Sequence, residues 1–419
     1  MSVTTNLKKT VFAHNVAVFI RHRQINYYNS RILPKILEQK KGKEKLNVAF
    51  IVYNVSMWKY QSLYEIMAND EKFNPFIVLT PSPGKEKEIR EKHLKEMQEE
   101  FARLNYNIYP SVIWDNLKFD SNFDADIIFL TQMYVPNFLT KELKKYLFCY
   151  CPYGFPSTSN SKWAVDTFLH NIAWKEFQVT QLSIDNSAKV MFNKAKNRVL
   201  TGYVFGDELS KKNISPKGIW KDSEKNLKRI IWAPHFSINP EHHFHISTFL
   251  EIYALMFEIA EKYKDKIQIA FKPHPFLYST LCDEKFWGKD KTDAYYDRWK
   301  NLPNGQLEEG AYADLFCSSD AIIHDCGSFT IEYLYTRKPA MYLMDNPEER
   351  EADSLGHEAL DCYYHGTKAA EIEWFIKDIV IEENDTMADK RNEFYKKYLE
   401  PLNGKTSAEN IINIIKEEL

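Results

Sequence analysis

The sequence predicts an α/β protein made of two doubly wound, Rossmann-like domains facing a crevice. Three observations carry this expectation. Strand-like and helix-like segments alternate twice along the chain. The strand segments are short, near-continuous apolar runs, the pattern of parallel strands covered on both faces. A polar, basic stretch at 205–228, containing Ser215-Pro216-Lys217-Gly218, separates the two series and reads as a linker. With 419 residues the chain can build two cores. The expected partition is a basic N-terminal helical segment (1–45), a first domain (46–215), a second domain (216–402) and a C-terminal helix (403–419) free to cross back to the first.

Composition narrows the function classes. The net charge of −3 offers no general attraction to nucleic acid, so none is expected as a partner. High aromatic content (15%) with only 13 Gly argues for a rigid enzyme and against a disordered or fibrous chain. The six cysteines show no paired metal-ligand spacing, which suits free thiols in a reducing cytosol. No run of 18 apolar residues occurs and no signal peptide is evident, so a cytoplasmic chain without a membrane span is expected.

Residues 1–45 carry ten Lys or Arg against Glu38 and Glu44, with Val11, Phe12, Val16, Val18, Phe19 and Ile20 interspersed. Two readings follow: a basic amphipathic helix resting on anionic lipid, or a helix packed on the first domain with a solvated basic face. In the first domain, strands are expected at 46–53, 73–79, 106–109, 125–130, 147–151 and 199–204. Helices are expected at 58–67, 84–104, 163–174 and 183–193. The loop Cys151-Pro152-Tyr153-Gly154-Phe155-Pro156-Ser157-Thr158 follows a strand; Tyr153, Gly154 and Ser157, with Asp166, could contact an acceptor, or the loop is a plain turn.

The second series opens with a strand at 229–233, a helix at 247–263 and a strand at 267–272. An irregular aromatic stretch around 286–299 and a short helix at 312–317 come next. Ala321 to Ile323 form a buried strand, Asp325-Cys326-Gly327-Ser328 a tight polar turn, and Thr330 to Tyr335 a helix, with another strand at 340–343. A helix starting just after Gly327 and Ser328 offers unpaired N–H groups to a phosphate, and Ser328 could cap it. Glu332, one turn on, is placed to hold a ribose through its two carboxylate oxygens.

Three strand ends in this half finish in phosphate-compatible residues: Ala233-Pro234-His235, Lys272-Pro273-His274-Pro275 and Asp325 to Ser328. In a parallel sheet they would converge on one edge. Lys272 supplies a point charge, His274 a donor, and the flanking prolines fix the backbone that aims them. Pyrophosphate chemistry of this kind needs charge neutralisation at the leaving phosphate, which these groups can provide without a metal or cofactor. His235 is the candidate for proton transfer. His242, His243 and His245 cluster without accompanying Cys or carboxylate ligands, and Asp124-Ala125-Asp126 opens a strand, so no metal site is expected.

On the 152–156 loop, Ala233-Pro234, Lys272-Pro273-His274-Pro275, Ser319-Asp320, Asp325-Cys326-Gly327-Ser328 and Arg337-Lys338-Pro339, the chain resembles the CDP-glycerol glycerophosphotransferase family of teichoic-acid, capsule and related surface-polymer synthesis. The resemblance implies a GT-B fold, a CDP-activated polyol donor (glycerol or ribitol), release of CMP, and a cytoplasmic enzyme peripheral at the inner face of the plasma membrane. A glycan or lipid-linked acceptor is implied as well. By position, Lys272, His274, Asp325 and Ser328 inherit donor-phosphate binding and leaving-group stabilisation; Ser319, Gly327 and Phe329 adjoin them as donor-binding candidates. Two departures stand out: the family's His-Gly-Thr-Pro loop is Tyr153-Gly154-Phe155-Pro156 here, and Gly327 replaces the first serine of Asp-x-Ser-Ser. The first removes a candidate general base. A GT-B glycosyltransferase using a nucleotide sugar for capsule or O-antigen synthesis, and a non-catalytic scaffold subunit, are the alternative readings.

Overall fold

A computed structural model describes the chain except residues 1–15, 82–85, 113–118, 134–141, 156–164, 224, 242–244, 347 and 349–351. The chain divides into two compact units, residues 1–205 with 401–419 and residues 206–400. The division falls after Phe205, at the head of the expected linker. No helix of the described residues is long and apolar enough to cross a membrane.

The first unit opens with a long helix, α1 (16–40), which passes through a π-helical stretch at Tyr28–Ile32. Its sheet is six parallel strands in the order β2-β1-β3-β4-β5-β6. These are β1 (Leu46–Val52), β2 (Phe73–Leu79), β3 (Ile127–Leu130), β4 (Leu147–Tyr150), β5 (Lys175–Gln178) and β6 (Arg198–Leu200). The apolar runs of β1 to β4 are buried along nearly their whole length, because α2 (Gln61–Ala68), α3 (Lys87–Arg103) and α1 cover the sheet. The strand expected at 106–109 is reduced to a single bridge, Ile77 to Ile108. β5 was not anticipated: Lys-Glu-Phe-Gln lacks a strand's apolar signature, and the buried Glu176 is tolerated there because Arg198 and His170 flank its carboxylate.

The second unit is a sheet of six parallel strands in the order β9-β8-β7-β10-β11-β12. They are β7 (Lys228–Ala233), β8 (Ile267–Phe271), β9 (Gly305–Leu307), β10 (Ala321–His324), β11 (Ala340–Tyr342) and β12 (Tyr364–His365). Counted within the unit this is 3-2-1-4-5-6, the Rossmann order, which reverses direction between its first and fourth strands, β7 and β10. α4 (Phe249–Lys262) packs its apolar stripe on the sheet. The stretch around 286–299 is not irregular: it is helix α5 (Gly288–Asn301), whose Tyr295, Tyr296 and Trp299 are buried among Phe257 and Phe271. Its aromatic-rich sequence disguises the helical period. α6 (Ala313–Ser318) precedes β10, and α7 (Phe329–Glu332), a single turn, follows it and tightens into a 3₁₀ turn at Tyr333–Thr336.

The chain then returns to the first unit as α8 (Ser407–Glu418), opened by a Thr406/Glu409 capping box. Ala408, Ile411, Ile412 and Ile415 enter that unit's core, and Lys416 pairs with Asp70 at 2.5 Å.

Candidate functional site

The switch point between β7 and β10 is where a doubly wound sheet opens a crevice beyond its carboxyl ends. Its rim is built by the ends of β7, β8 and β10. Beyond β7 and β8 the backbones stay paired: Lys272 N donates to Trp232 O at 2.8 Å, and His274 N to Pro234 O at 3.0 Å. Two Pro-His turns, Pro234-His235 and Pro273-His274, therefore run side by side, and the imidazole centroids are 4.9 Å apart.

The two histidines are held in the same way. The Ser237 backbone N–H donates to His235 Nδ1 at 3.3 Å, and Ser237 Oγ lies 2.8 Å from that nitrogen. The Phe276 N–H donates to His274 Nδ1 at 3.2 Å. A backbone N–H can only donate, so each Nδ1 accepts, and the proton of the neutral ring resides on Nε2. Burial first, and then the Lys272 charge, push His274 down to about 4, so this ring is neutral at physiological pH. Phe236 and the exposed Phe276 complete a ring cluster around the pair.

Lys272 is 6% exposed. Its Nζ donates to Gly310 O at 2.9 Å and sits 5.7 Å from the centroid of the Tyr312 ring. Burial lowers it to about 8, against the opposing influence of Glu308, Cys326 and Glu309. Cys326 is two residues before Ser328, so the Lys272 ammonium and the β10 turn occupy one neighbourhood. Tyr312 Oη in turn donates to Glu332 Oε2 at 2.6 Å.

Asp325 is fully buried and fastens the rim together. Its Oδ1 accepts from His235 N at 2.5 Å; its Oδ2 accepts from Thr248 N at 2.8 Å and Thr248 Oγ1 at 3.1 Å. Burial raises its carboxyl to about 6, with the Thr248 and His235 bonds opposing. Cys326 Sγ adds a bond to Ala233 O at 3.3 Å.

Against the sequence expectations, the structure redistributes several parts. Asp325 cannot face a donor phosphate, since its carboxylate is enclosed and taken up by three protein donors. Ser319 is 1% exposed, its Oγ bonded to Phe316 O and Tyr333 Oη, so its hydroxyl is engaged in packing α6 against the 3₁₀ turn. Glu332, also 1% exposed, holds Tyr312 and does not present its carboxylate to a ribose. Ser328 is exposed and makes no capping bond to α7; Gly327 and Phe329 are half-buried, the Phe329 ring tilted against Tyr312 and edge-on to Phe316. In the first unit Tyr153 is exposed and a side chain at Gly154 would meet nothing within 4 Å, while Ser157 lies outside the described residues. Asp166 is buried and bound by Arg21, Asn171 and Phe192 N. His242 and His243 lie outside the described residues; His245 is exposed. Ser237, Thr248 and Tyr312 were missed. Ser247-Thr248 reads as an ordinary helix start, yet the Thr248 hydroxyl bonds Asp325 and makes no capping bond to α4.

Among solved structures the chain is similar to the wall teichoic acid polymerase TagF, a histidine variant soaked with CDPG: TM-score 0.54 at 13% identity, over 100% of this chain and 98% of that one. It is similar also to a UDP-N-acetylglucosamine 2-epimerase (TM-score 0.54, 14% identity, 90% and 95% covered) and to the Neisseria meningitidis UDP-GlcNAc 2-epimerase (0.52, 13%, 89% and 99%). At such identities these likenesses establish the two-domain GT-B-type fold. No curated protein matches by sequence. The family profile described as CDP-Glycerol:Poly(glycerophosphate) glycerophosphotransferase matches residues 169–417, which span the whole of the second unit and with it both Pro-His turns. The chain therefore belongs to that family and is a CDP-glycerol glycerophosphotransferase-like transferase.

Proposed function

We propose that the enzyme transfers glycerol phosphate or ribitol phosphate from its CDP-activated form to a hydroxyl of a teichoic-acid- or capsule-type glycan or a lipid-linked acceptor, at the inner face of the plasma membrane. The acceptor oxygen forms a bond to the β-phosphorus, the bridging P–O bond breaks, and CMP departs with the electron pair. The acceptor's proton leaves to a base. Charge developing on the bridging and non-bridging oxygens is met by Lys272 and by the Nε2–H groups of His274 and His235. Gly327, Ser328 and Phe329 line the same turn, and Tyr153, Gly154 and Ser157 are kept as acceptor-side candidates in the first unit.

The observation that carries this reading is the pairing of the two Pro-His turns beside a buried lysine at the Rossmann switch point. It also reassigns His235. Acting as a base through Nε2 would require the proton to sit on Nδ1, against the Ser237 N–H that points at it, so in this reading His235 serves as a hydrogen-bond donor to phosphate. The nucleotide is tested by thermal denaturation with CDP, CMP, UDP and GDP, since a ligand selective for the folded state raises the midpoint. The proposal expects CDP and CMP to stabilise most; a preference for UDP or GDP would overturn it.

A further inference from the structure

At the amino ends of β1, β2 and β3, the opposite end of the first sheet from the Tyr153 loop, a groove of about 220 Å³ opens among Asn47, Asn74, Asn107, Asn122, Asp124 and Tyr109. Asn47 and Asn74 stand opposite each other in the parallel ladder, each the second residue of its strand. They share the sheet face that Ala49, Ile51, Phe76 and Val78 bury further along. Asparagine is depleted in strands and neither residue enters the core, so folding alone does not ask for the pair.

The side chains form a polar ladder. Asn74 Nδ2 donates to Asn47 Oδ1 at 2.9 Å, and Asn47 Nδ2 to Asp124 Oδ2 at 2.9 Å. An amide has two N–H groups and an oxygen with two lone pairs, so among the described residues these two use half of that capacity or less. Asn107 and Asn122 bond through their backbones, to Tyr64 Oη and Asp120 Oδ1, and among the described residues leave their amides to solvent. Tyr109 is fixed by its Oη, which donates to Asp120 Oδ1 at 2.7 Å, and its ring lies 5.8 Å from that of the buried Phe76. It supplies an apolar wall beside the amides.

Charge decides the class of ligand. Asp124 alone among the lining residues is charged, and the Lys43 ammonium, whose pKa is raised first by its bond to Asp126 at 2.7 Å, also feels Asp124. The groove is therefore close to neutral, which suits neither a phosphate nor a divalent cation. A peptide strand needs a sheet edge, whereas this ladder runs across strand ends and Ile108 bridges the edge beside β2. Sugar hydroxyls donate and accept as amides do, and a sugar ring can lay its C–H face on an aromatic wall.

We propose that this groove binds a neutral polyhydroxylated ligand, a sugar ring or polyol of the glycan on which the enzyme acts, held by Asn47, Asn74, Asn107 and Asn122 against Tyr109. That the glycan is the acceptor rests on the function proposed above; the groove lies wholly within the first unit and can fail while the transfer reaction stands.

The full chain is presented with glucose, N-acetylglucosamine and ribitol in turn, and binding is read by saturation-transfer difference NMR with and without inorganic phosphate. The proposal expects saturation of at least one of the three, unmoved by phosphate. Asn47→Val with Asn74→Val weakens that binding at least roughly tenfold, through the hydrogen bonds lost. The same variant melts no lower than wild type, because valine suits a strand better than asparagine. Asn301→Ala, at an exposed asparagine of the second unit, changes nothing. CDP affinity, measured alongside, is the same in wild type and double variant; its absence from both would sink the proposed donor and leave the groove standing. No saturation of any of the three, displacement by phosphate, or unchanged binding by the double variant overturns the proposal. So does a double variant that melts well below wild type, since the asparagines would then serve the fold.

Discussion

The imidazole rings of His235 and His274 lie 4.9 Å apart, and each has its Nδ1 occupied by the backbone N–H two residues further along the chain. Two strands thus end in the same device: proline stiffens the exit, and histidine closes a turn with its own ring and carries its proton on Nε2. Such a pair can offer a phosphate oxygen two hydrogen bonds, while Lys272 supplies the charge.

If donation through Nε2–H is the role of His274, a side-chain amide can stand in for it. His274→Gln is expected to keep kcat/KM for CMP formation within roughly tenfold of wild type, whereas His274→Ala loses roughly 10²–10³-fold. Equal, severe loss in both variants would mean that the ring takes up a proton.

The pH dependence follows from two depressed groups. His274, at about 4, stays neutral above pH 5 or so. Lys272, at about 8, is charged below that value and loses its charge as pH rises through it. CDP affinity measured by titration calorimetry is therefore expected to be level through the neutral range and to fall above pH 8. A level profile to pH 10 would remove Lys272 from the donor site.

Lys272 is also expected to trade stability for function. Moving a buried ammonium from 10.5 to about 8 costs the folded state on the order of 3 kcal/mol at neutral pH. That penalty is present below pH 8 and disappears as pH rises through 10.5, where the unfolded chain also loses the proton. Lys272→Met should therefore abolish CDP binding while raising the melting temperature by roughly a few degrees. A lower melting temperature would show that the Gly310 and Tyr312 contacts outweigh the desolvation.

Asp325 is expected to act through position. Asp325→Ala leaves His235 N, Thr248 N and Thr248 Oγ1 without their buried acceptor, which costs about 3 kcal/mol in urea denaturation. Among molecules still folded, the loss should appear in kcat more than in KM, because His235 is released from its aim. Wild-type kcat in the folded fraction would remove the clamp from the mechanism.

How much of this was legible in the sequence differs from residue to residue. The second unit's strand ends were readable, since Ala-Pro-His, Lys-Pro-His-Pro and Asp-x-Gly-Ser each follow an apolar run, and a parallel sheet puts such ends on one edge. What the sequence conceals is which side chain faces outward. Asp325 and Glu332 look like ligand-binding carboxylates because charge in a turn suggests exposure, yet both are enclosed and occupied by protein donors. β5 escaped because its Glu176 is held by Arg198 and His170, partners that only the folded chain brings together. The helical period of α5 was obscured because Tyr295, Tyr296 and Trp299 are spread among charged residues.

The transfer reaction itself is tested most directly by following CMP from CDP-glycerol or CDP-ribitol with a teichoic-acid-type acceptor, comparing wild type, His274→Ala and His274→Gln. The account predicts one CMP for each polyol phosphate transferred, nearly abolished in the alanine variant and largely kept in the glutamine variant. No CMP from wild type, with tight binding of a UDP- or GDP-sugar in its place, would contradict it.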